Sequence, residues 1–319
     1  MRIILKYITI GIDGGGTKTK AAALDESGRI LAQSEAGSMN YNFMPMNECV
    51  SNVYEALRRL SLDGKQRIAA CAIGDPSIDD EVTHILSERF SHELRIQAGF
   101  DENVPVLLKS DVFMSLYGLT EGTPGILIIS GTGSMGMGID KQGRIVTVGG
   151  WGRPCTDKGS GYDIAVNALL AVFDAADGTG SPTNLTEKAL NFFRVDKPRE
   201  LIGVLNDDRC RRADIAAFAS IVAECAEVGD SIAVDVIHRA ADSLTEYACA
   251  LISRIDYPAC RVGMYGGVFQ NNLTIQNHFR QAISLKYPEA VIGFPEIPPE
   301  VAAARYAMNI VKNQDKINR

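Results

Sequence analysis

Two short segments of the chain combine glycine with carboxylate, hydroxyl and ammonium side chains. Consecutive glycines let the backbone turn tightly, so that several N–H groups point to one spot and can bind an anion such as a phosphate. In the first segment Asp13 ends an apolar strand pattern, where it could hold Mg²⁺ through water or cap the turn. Lys18 could add a positive charge there or remain solvated. The residues expected to bind phosphate are Gly14, Gly15, Gly16, Thr17 and Lys18 in the first segment, and Gly131, Thr132 and Gly133, between Ser130 and Ser134, in the second.

The sequence after each glycine turn is repeated. Both copies read as a strand, a tight hairpin turn and another strand. Gly14 and Gly131 are 117 residues apart, whereas the hairpin residues Asp25 and Asp140 are 115 apart, so we expect the strand between them to differ by two residues. Two related halves, with one phosphate-binding turn each on facing sides of a cleft, would explain the repeat; two unrelated hairpins are the alternative. The matched hairpin positions are Asp25 and Asp140, Gly28 and Gly143, and Arg29 and Arg144.

Asp111 lies where a strand pattern changes to a helix pattern, in VPVLLKSDVFMSLYG. A carboxylate at this position could cap the helix. It could also act as a general base that accepts the proton of an attacking hydroxyl in phosphoryl transfer. A second acidic segment, AIGDPSIDDE, reads as a loop, with Asp79, Asp80 and Glu81 at a solvated helix start.

Composition excludes several classes of protein. The 319 residues include 46% apolar and 22% charged residues, which is typical of a globular protein. The net charge of −7 argues against nucleic-acid binding, which needs a basic surface. No apolar run is long enough to span a membrane, and the first residues lack the features of a secretory signal. Seven cysteines without a C-x-x-C pair indicate a reducing, cytoplasmic location.

The ordered motifs DGGGTKT, SGTGS, GGWG, D-x-GSGY and GGVFQNN together resemble the N-acetylglucosamine kinase branch of the BadF/BadG-type ATPases. That family belongs to the superfamily of actin, sugar kinases and heat-shock chaperones. The resemblance implies an α/β fold with two ribonuclease-H-like lobes, each a mixed β-sheet flanked by helices, and a nucleotide in the interlobe cleft. The first lobe would comprise residues 1–114 and a returning C-terminal helix, 298–319, and the second lobe residues 115–297.

The resemblance also implies roles for individual residues. Asp13 would hold Mg²⁺, and Asp111 would be the catalytic base. The two glycine-rich turns would bind the phosphates of ATP, and the turn at Gly266 and Gly267 would approach its adenosine. Where the family reads G-D-E-G-S-G-Y, this chain has Thr156, Asp157 and Lys158, a difference that bears on the identity of the sugar. The expected sugar-binding residues are Asn40, Asp111, Ser134, Gly150, Trp151, Gly152 and Asp157.

The implied activity is transfer of the γ-phosphoryl group of ATP to the 6-hydroxyl of an amino sugar, with N-acetylglucosamine as the first expectation and glucosamine as the alternative. Two other hypotheses stay open at this point. One is an iron–sulfur ATPase that activates a dehydratase, and the other is a nucleotide-dependent sensor without kinase activity. The resemblance further implies a homodimer.

Overall fold

The structure is a computed structural model that describes residues 6–40, 44–62, 66–76, 78, 84–152 and 157–317. The strands are β1 Lys6–Asp13, β2 Thr19–Asp25, β3 Ile30–Ala36, β4 Gln66–Asp75, β5 Val106–Ser110, β6 Gly125–Ser130, β7 Ser134–Ile139, β8 Ile145–Gly149, β9 Arg261–Tyr265 and β10 Val291–Gly293. The α-helices are α1 Met46–Arg59, α2 His84–Ala98, α3 Asp111–Thr120, α4 Gly161–Asp177, α5 Leu185–Phe193, α6 Leu201–Leu205, α7 Arg212–Ala216, α8 Phe218–Glu227, α9 Ser231–Ile255, α10 Gly267–Asn271, α11 Leu273–Lys286 and α12 Pro299–Ile317.

The chain divides into two units, which comprise residues 1–122 with 295–319 (unit 1) and residues 123–294 (unit 2). The boundary expected after Met114 falls inside α3, a continuous helix whose last residues stay with unit 1. Thr156 and the acidic run 79–81 lie outside the described residues.

The two units contain the same sheet. Unit 1 has the strand order β3-β2-β1-β4-β5, and unit 2 has the corresponding order β8-β7-β6-β9-β10. In each unit, the first three strands are antiparallel neighbours, and the two later strands run parallel to the central strand. The α/β class with two mixed, helix-flanked sheets is therefore confirmed.

The repeated hairpins agree down to individual hydrogen bonds. Oδ1 of Asp25 accepts from the backbone N–H of Ser27 and Arg29, and Oδ1 of Asp140 accepts from those of Gln142 and Arg144. In each copy the arginine Nε also donates to the second carboxylate oxygen, and the hairpin glycine has a positive φ, 85° at position 28 and 76° at position 143. The predicted repeat is thus a repeat of local structure as well as of residue types.

The two-residue difference between the copies lies in the glycine turn, not in the following strand as expected. Residues 14–18 connect β1 to β2, whereas only residues 131–133 connect β6 to β7. The strands from 19 and from 134 onwards keep a constant offset up to the hairpin aspartates. A longer turn changes the size of the backbone concavity without disturbing the side-chain alternation of the sheet.

Residues 72–75 of the segment interpreted as a loop, AIGD, instead form the end of β4. Its residues pair in parallel register with β1 and β5, and Asp75 is fully buried at the end of the strand. Glycine and aspartate disfavour strands as single residues, but pairing on both sides of β4 overrides that preference here.

Helix α12 packs unusually closely on the central strand of unit 1. A Cβ added to Gly11 would lie 2.0 Å from the backbone oxygen of Glu300 and 2.1 Å from the backbone nitrogen of Ala304. Beside this contact, Ala22 and Leu24 of β2 form a small core with Val301 and Ala304 of α12. The opposite face of the sheet packs on α1 and α2 through a separate core that includes Ile10, Ile12 and Phe90. Gly11 therefore lets the C-terminal helix lie against β1.

In unit 2, Gly229 and Asp230 separate helices α8 and α9. Gly229 has a φ of 87°, and the Asp230 side chain caps α9 by accepting from the N–H of Ala233. Helix α9 then packs along the sheet of unit 2, with residues such as Ala248 and Leu251 fully buried beside Ile128 of β6. These helices support the strands that present the second glycine turn.

We expect Gly11→Ala to lower the free energy of unfolding by about 2 kcal/mol or more, because the added methyl group must push α12 away from β1. Urea unfolding of the purified variant measures this change. Gly293→Ala is the control, since a Cβ at that strand glycine meets no atom within 4 Å, and its stability should be unchanged or slightly raised. Equal stability of the two variants would contradict the close packing of α12.

Candidate functional site

The first glycine turn is fixed to its own unit at two points. The N–H of Gly14 donates to the carbonyl of Gly74 over 2.8 Å, and the N–H of Met39 donates to the carbonyl of Gly15 over 2.9 Å. Among the described residues, the N–H groups of Gly16 and Thr17 meet no acceptor. A turn whose first residues are fixed by hydrogen bonds, and whose following N–H groups remain available, is suited to binding an anion.

Asn40 and Lys18 flank this turn. A Cβ on Gly16 would lie 3.9 Å from Nδ2 of Asn40, so the predicted sugar-binding amide is next to the predicted phosphate-binding turn. Nζ of Lys18 makes an exposed ion pair with Glu35 at 3.0 Å. An exposed pair of this kind contributes little stability and can exchange partners easily, so the lysine is not committed to Glu35.

Asp13 lies at the end of β1 in surroundings that disfavour a lone negative charge. Burial, followed by the nearby carboxylates of Glu300 and Asp111, raises its pKa from 3.8 to about 7, and Lys20 opposes this effect. A carboxylate with excess negative charge around it is stabilised by a cation. The chemistry of this donor set therefore fits a divalent metal ion with oxygen ligands.

The residues that the structure describes contain no group of three or more acidic, histidine or cysteine side chains arranged to hold a metal ion by themselves. A cation beside Asp13 would have to complete its coordination with water and with the phosphates of a nucleotide. This is the usual arrangement for Mg²⁺, which retains several waters and is shared between one or two carboxylates and substrate phosphates.

Asp111 is the first residue of α3, and the cap of that helix is its neighbour. Oγ of Ser110 accepts from the N–H of Phe113 over 3.1 Å, so the interpretation of Asp111 as the N-cap is wrong. The Asp111 carboxylate accepts from the N–H of Val112 and lies close enough to Asp13 to affect its pKa. The structure thus places the two aspartates predicted for metal binding and for base catalysis side by side.

The second glycine turn is also braced from behind. The N–H of Gly161, at the start of α4, donates to the carbonyl of Gly131 over 2.8 Å, and the N–H of Gly131 donates to the carbonyl of Gly133 over 2.9 Å. Within the described part of the chain, the N–H groups of Thr132 and Gly133 have no acceptor. Both units therefore present the same kind of turn, one whose backbone N–H groups are suited to binding an anion.

Asp157 forms a buried ion pair that residue spacing did not predict. Oδ2 of Asp157 contacts Nη2 of Arg212, and the side chains are only 6% and 17% exposed. The guanidinium of Arg212 also lies over the ring of Tyr162, 4.8 Å from its centroid. Asp157 has a φ of 102°, which is rare for a residue with a side chain, and a Cβ on Gly133 would lie 3.2 Å from its carboxylate. The ion pair therefore holds a strained residue directly behind the second glycine turn.

Arg212 was not identified from the sequence because it is one of several arginines near the start of a helix. It also lies 55 residues from Asp157 along the chain. Its neighbour Arg211 makes a short-range, exposed pair with Asp214. Nothing in the spacing of the sequence distinguishes the two arginines, since only the folding of α7 against the start of α4 brings one of them to Asp157.

The remaining residues predicted to contact the sugar lie around one loop. Oγ of Ser134 donates to the carbonyl of Lys158 over 2.7 Å, so this hydroxyl connects β7 to the Asp157 segment. The N–H of Gly150 donates to the carbonyl of Ser134, and Gly150 and Gly152 both have positive φ values. The Trp151 side chain between them is 81% exposed. A flat, exposed indole held between two glycines is available to contact a ligand.

Unit 2 also contains a cavity of about 660 Å³ that begins at the second glycine turn. Gly131 and Thr132 form one end, Gly267 another, and much of the wall consists of alanines from α7 and α8. Gly266 has a φ of 97°, and a Cβ there would lie 2.4 Å from the carbonyl oxygen of Ser130, so only glycine allows β9 and the turn to meet. The alanines that line the cavity are Ala213, Ala216, Ala217, Ala219 and Ala223.

This cavity is large enough for the base and ribose of a nucleotide and has an apolar wall with polar side chains at its edge. A somewhat larger cavity of about 790 Å³ in unit 1 is next to the beginning of β1 and the end of α12, away from the first glycine turn. Of these two cavities, the one in unit 2 is the one that adjoins a glycine turn suited to binding an anion.

Two further observations concern the classes of protein considered above. The six described cysteines are free thiols, and most of them are buried or half-buried. In the described helices there is no segment with the length and apolarity that a membrane span requires.

The common sheet order, the repeated hairpins and the two glycine turns define an actin-like ATPase fold of the type found in sugar kinases. Residues 10–307 match the BadF/BadG/BcrA/BcrD ATPase family, and the chain belongs to that family. The family resemblance inferred from the motifs is confirmed.

Similar proteins cover nearly the whole chain. The N-acetyl-D-glucosamine kinase of Dictyostelium discoideum is 27% identical over 325 residues, which cover 96% of this chain and 99% of that protein. The N-acetylmuramic acid/N-acetylglucosamine kinase of Clostridium acetobutylicum is 29% identical over 299 residues, covering 90% and 94%. The crystal structure of a candidate N-acetylglucosamine kinase from Chromobacterium violaceum has a TM-score of 0.68 and 25% identity, covering 96% and 99%.

We expect Arg212→Met to lower the free energy of unfolding by about 3 kcal/mol, because it leaves the Asp157 carboxylate buried without its partner. Chemical denaturation measures the loss. Arg211→Met, at the residue that precedes the same helix and in an exposed pair, should cost less than about 1 kcal/mol. Adding Asp157→Asn to Arg212→Met should recover part of the loss, and a double variant as unstable as the single one would contradict the electrostatic explanation.

Proposed function

We propose that this protein is an ATP-dependent kinase that phosphorylates the 6-hydroxyl of an amino sugar, with N-acetylglucosamine as the leading substrate. The observation that carries this proposal is the pair of Asp13 and Asp111 beside a braced glycine turn. One carboxylate ends the central strand, and the other heads a helix that Ser110 already caps. The named activities of the similar kinases support the same reaction.

In this proposal ATP is bound mainly by backbone amides. The turns at residues 14–18 and 131–133 would bind its phosphates, and the cavity beside Gly131 and Gly267 would hold the adenosine. Asp13 would hold Mg²⁺, which would neutralise charge on the phosphates when bound. Since phosphoryl transfer depends chiefly on position and charge, turns fixed by short hydrogen bonds are the essential parts of such a site.

Asp111 would accept the proton of the sugar 6-hydroxyl as its oxygen forms a bond to the γ-phosphorus. The bond between that phosphorus and the bridging oxygen breaks, and ADP leaves with the electron pair. Because Ser110 supplies the N-cap of α3, Asp111 can take the proton while that cap stays in place. Asn40, close to the first turn, would orient the sugar.

The sugar would also meet the loop that contains Trp151. Ser134 and Asp157 are both engaged with neighbouring groups in the structure, through the Lys158 carbonyl and the Arg212 guanidinium. In our proposal Asp157 accepts hydrogen bonds from sugar hydroxyls with its other carboxylate oxygen, and Ser134, Gly150, Trp151 and Gly152 shape the loop. Glucosamine remains the alternative substrate. We further propose a cytoplasmic homodimer.

The function is tested by ADP release with MgATP and each of N-acetylglucosamine, glucosamine, N-acetylmannosamine, glucose or no sugar. We expect release that depends on an amino sugar, with the sugar 6-phosphate detected by mass spectrometry. Asp111→Asn should lower kcat by at least about 100-fold, because general base catalysis contributes that much. Asp101→Asn, a change in an exposed ion pair of the same unit, should leave kcat unchanged.

Sugar-independent ADP release would contradict the kinase and favour an ATPase or a sensor. A bound iron–sulfur cluster, detected by colour and iron analysis, would favour the dehydratase activator. Full sugar-dependent turnover by Asp111→Asn would exclude Asp111 as the base while leaving the kinase intact.

We expect Ala217→Leu to raise the KM for ATP by roughly tenfold, since the larger side chain would fill part of the unit 2 cavity. The KM for the sugar should change little. Ala176→Leu, at an exposed position of α4, is the control and should behave as the wild type. Steady-state kinetics with each substrate varied in turn makes the comparison, and an unchanged KM for ATP would place the nucleotide elsewhere.

A further inference from the structure

Glu300 is a buried carboxylate that none of the assigned roles uses. It is the second residue of α12, and the residue as a whole is only 5% exposed. Its backbone oxygen is the atom that excludes a Cβ from Gly11, two residues before Asp13. The tight packing of α12 on β1 therefore fixes where this carboxylate lies.

Only one of the two Glu300 oxygens is satisfied within the part of the chain that the structure describes. Oε1 accepts from Nε2 of Gln33 on β3 over 3.2 Å. Oε2 is buried and has no hydrogen-bond partner. A buried polar atom without a partner costs free energy, and in natural proteins it often marks the place of a water or an ion.

Glu300 adds negative charge to the surroundings of Asp13. The carboxylates of Glu300 and Asp111 together disfavour a charge on Asp13, and Lys20 opposes them. Negative charge is therefore in excess at the end of β1. Such an excess is costly in the empty protein and would be relieved by a divalent cation.

Glu300 could instead be a purely structural residue. An acidic side chain in the first turn of a helix is favoured by the helix dipole, and Gln33 would then be sufficient as its partner. That reading explains the position of the side chain on α12. It does not explain why the second oxygen is buried without a partner near another carboxylate.

We propose that Glu300 is a second carboxylate of the divalent-cation site, and that it acts with Asp13 by accepting hydrogen bonds from water on the cation. This inference rests on the proposed function in so far as Asp13 holds Mg²⁺. Glu300 makes no contact with the sugar in this arrangement. Its effect is on how strongly the cation, and with it the nucleotide phosphates, is held.

The test is the gain in ADP affinity on adding Mg²⁺, measured by isothermal titration calorimetry with and without the metal. Glu300→Gln keeps a carbonyl that can accept from Gln33 but removes the charge. We expect this variant to lose roughly tenfold of the Mg²⁺-dependent gain, the size typical of residues that support a metal through a second layer of contacts. Its ADP affinity without metal should be unchanged or higher, because a negative charge has been removed.

Two variants separate the possible results. Glu296→Gln, an exposed position four residues earlier, should retain the wild-type gain. Asp13→Asn should lose more of it than Glu300→Gln does. If Glu300→Gln alters only the melting temperature and keeps the full gain, Glu300 is structural and the inference is overturned. If Asp13→Asn also keeps the gain, or the wild type shows none, the proposed cation role of Asp13 fails as well.

Discussion

The close approach of α12 to β1 at Gly11 is the constraint on which unit 1 depends. A side chain at position 11 would force apart two backbones that lie within van der Waals contact. Because the helix can lie so near the strand, its first turn reaches the carboxyl end of β1, where Asp13 is located. Glu300 is brought to Asp13 by the same contact that closes the small core formed with Ala22 and Leu24. The packing of α12 on β1 and the position of the Glu300 carboxylate thus both depend on the absence of a side chain at Gly11.

The repeat explains why each unit has a glycine turn suited to binding an anion, although the two turns differ in sequence and length. In both units a central strand ends, a glycine turn follows, and the returning strand leads to an aspartate-capped hairpin with the same set of hydrogen bonds. The hairpin fixes one end of the returning strand and the sheet fixes its register. The glycine turn is consequently the segment in which length can vary, and it is where the two-residue difference is found.

Periodicity and turn chemistry were sufficient to predict the strands and hairpins around the two glycine turns and the helix that begins at Asp111. These features are determined by residues within a few positions of one another. The contacts that were missed join distant residues, as in the pairs Asp157–Arg212 and Gln33–Glu300. β4 was misread for the same reason, because Gly74 and Asp75 have low strand propensity and are held in the strand by neighbours on both sides. Spacing carries no information about such contacts without knowledge of the tertiary fold.

The two halves differ in charge at the position where they correspond most closely. Asp13 ends β1 and precedes the first glycine turn, whereas Ser130 ends β6 and precedes the second, where its buried hydroxyl donates to the carbonyl of Gly159. The nearby carboxylate of unit 2, Asp157, is neutralised by Arg212. Among the described residues, Asp13 thus has other carboxylates around it, whereas Asp157 is paired with a cation. A bound cation would relieve the excess of negative charge beside Asp13, so in the proposed kinase the metal and the base would both belong to unit 1.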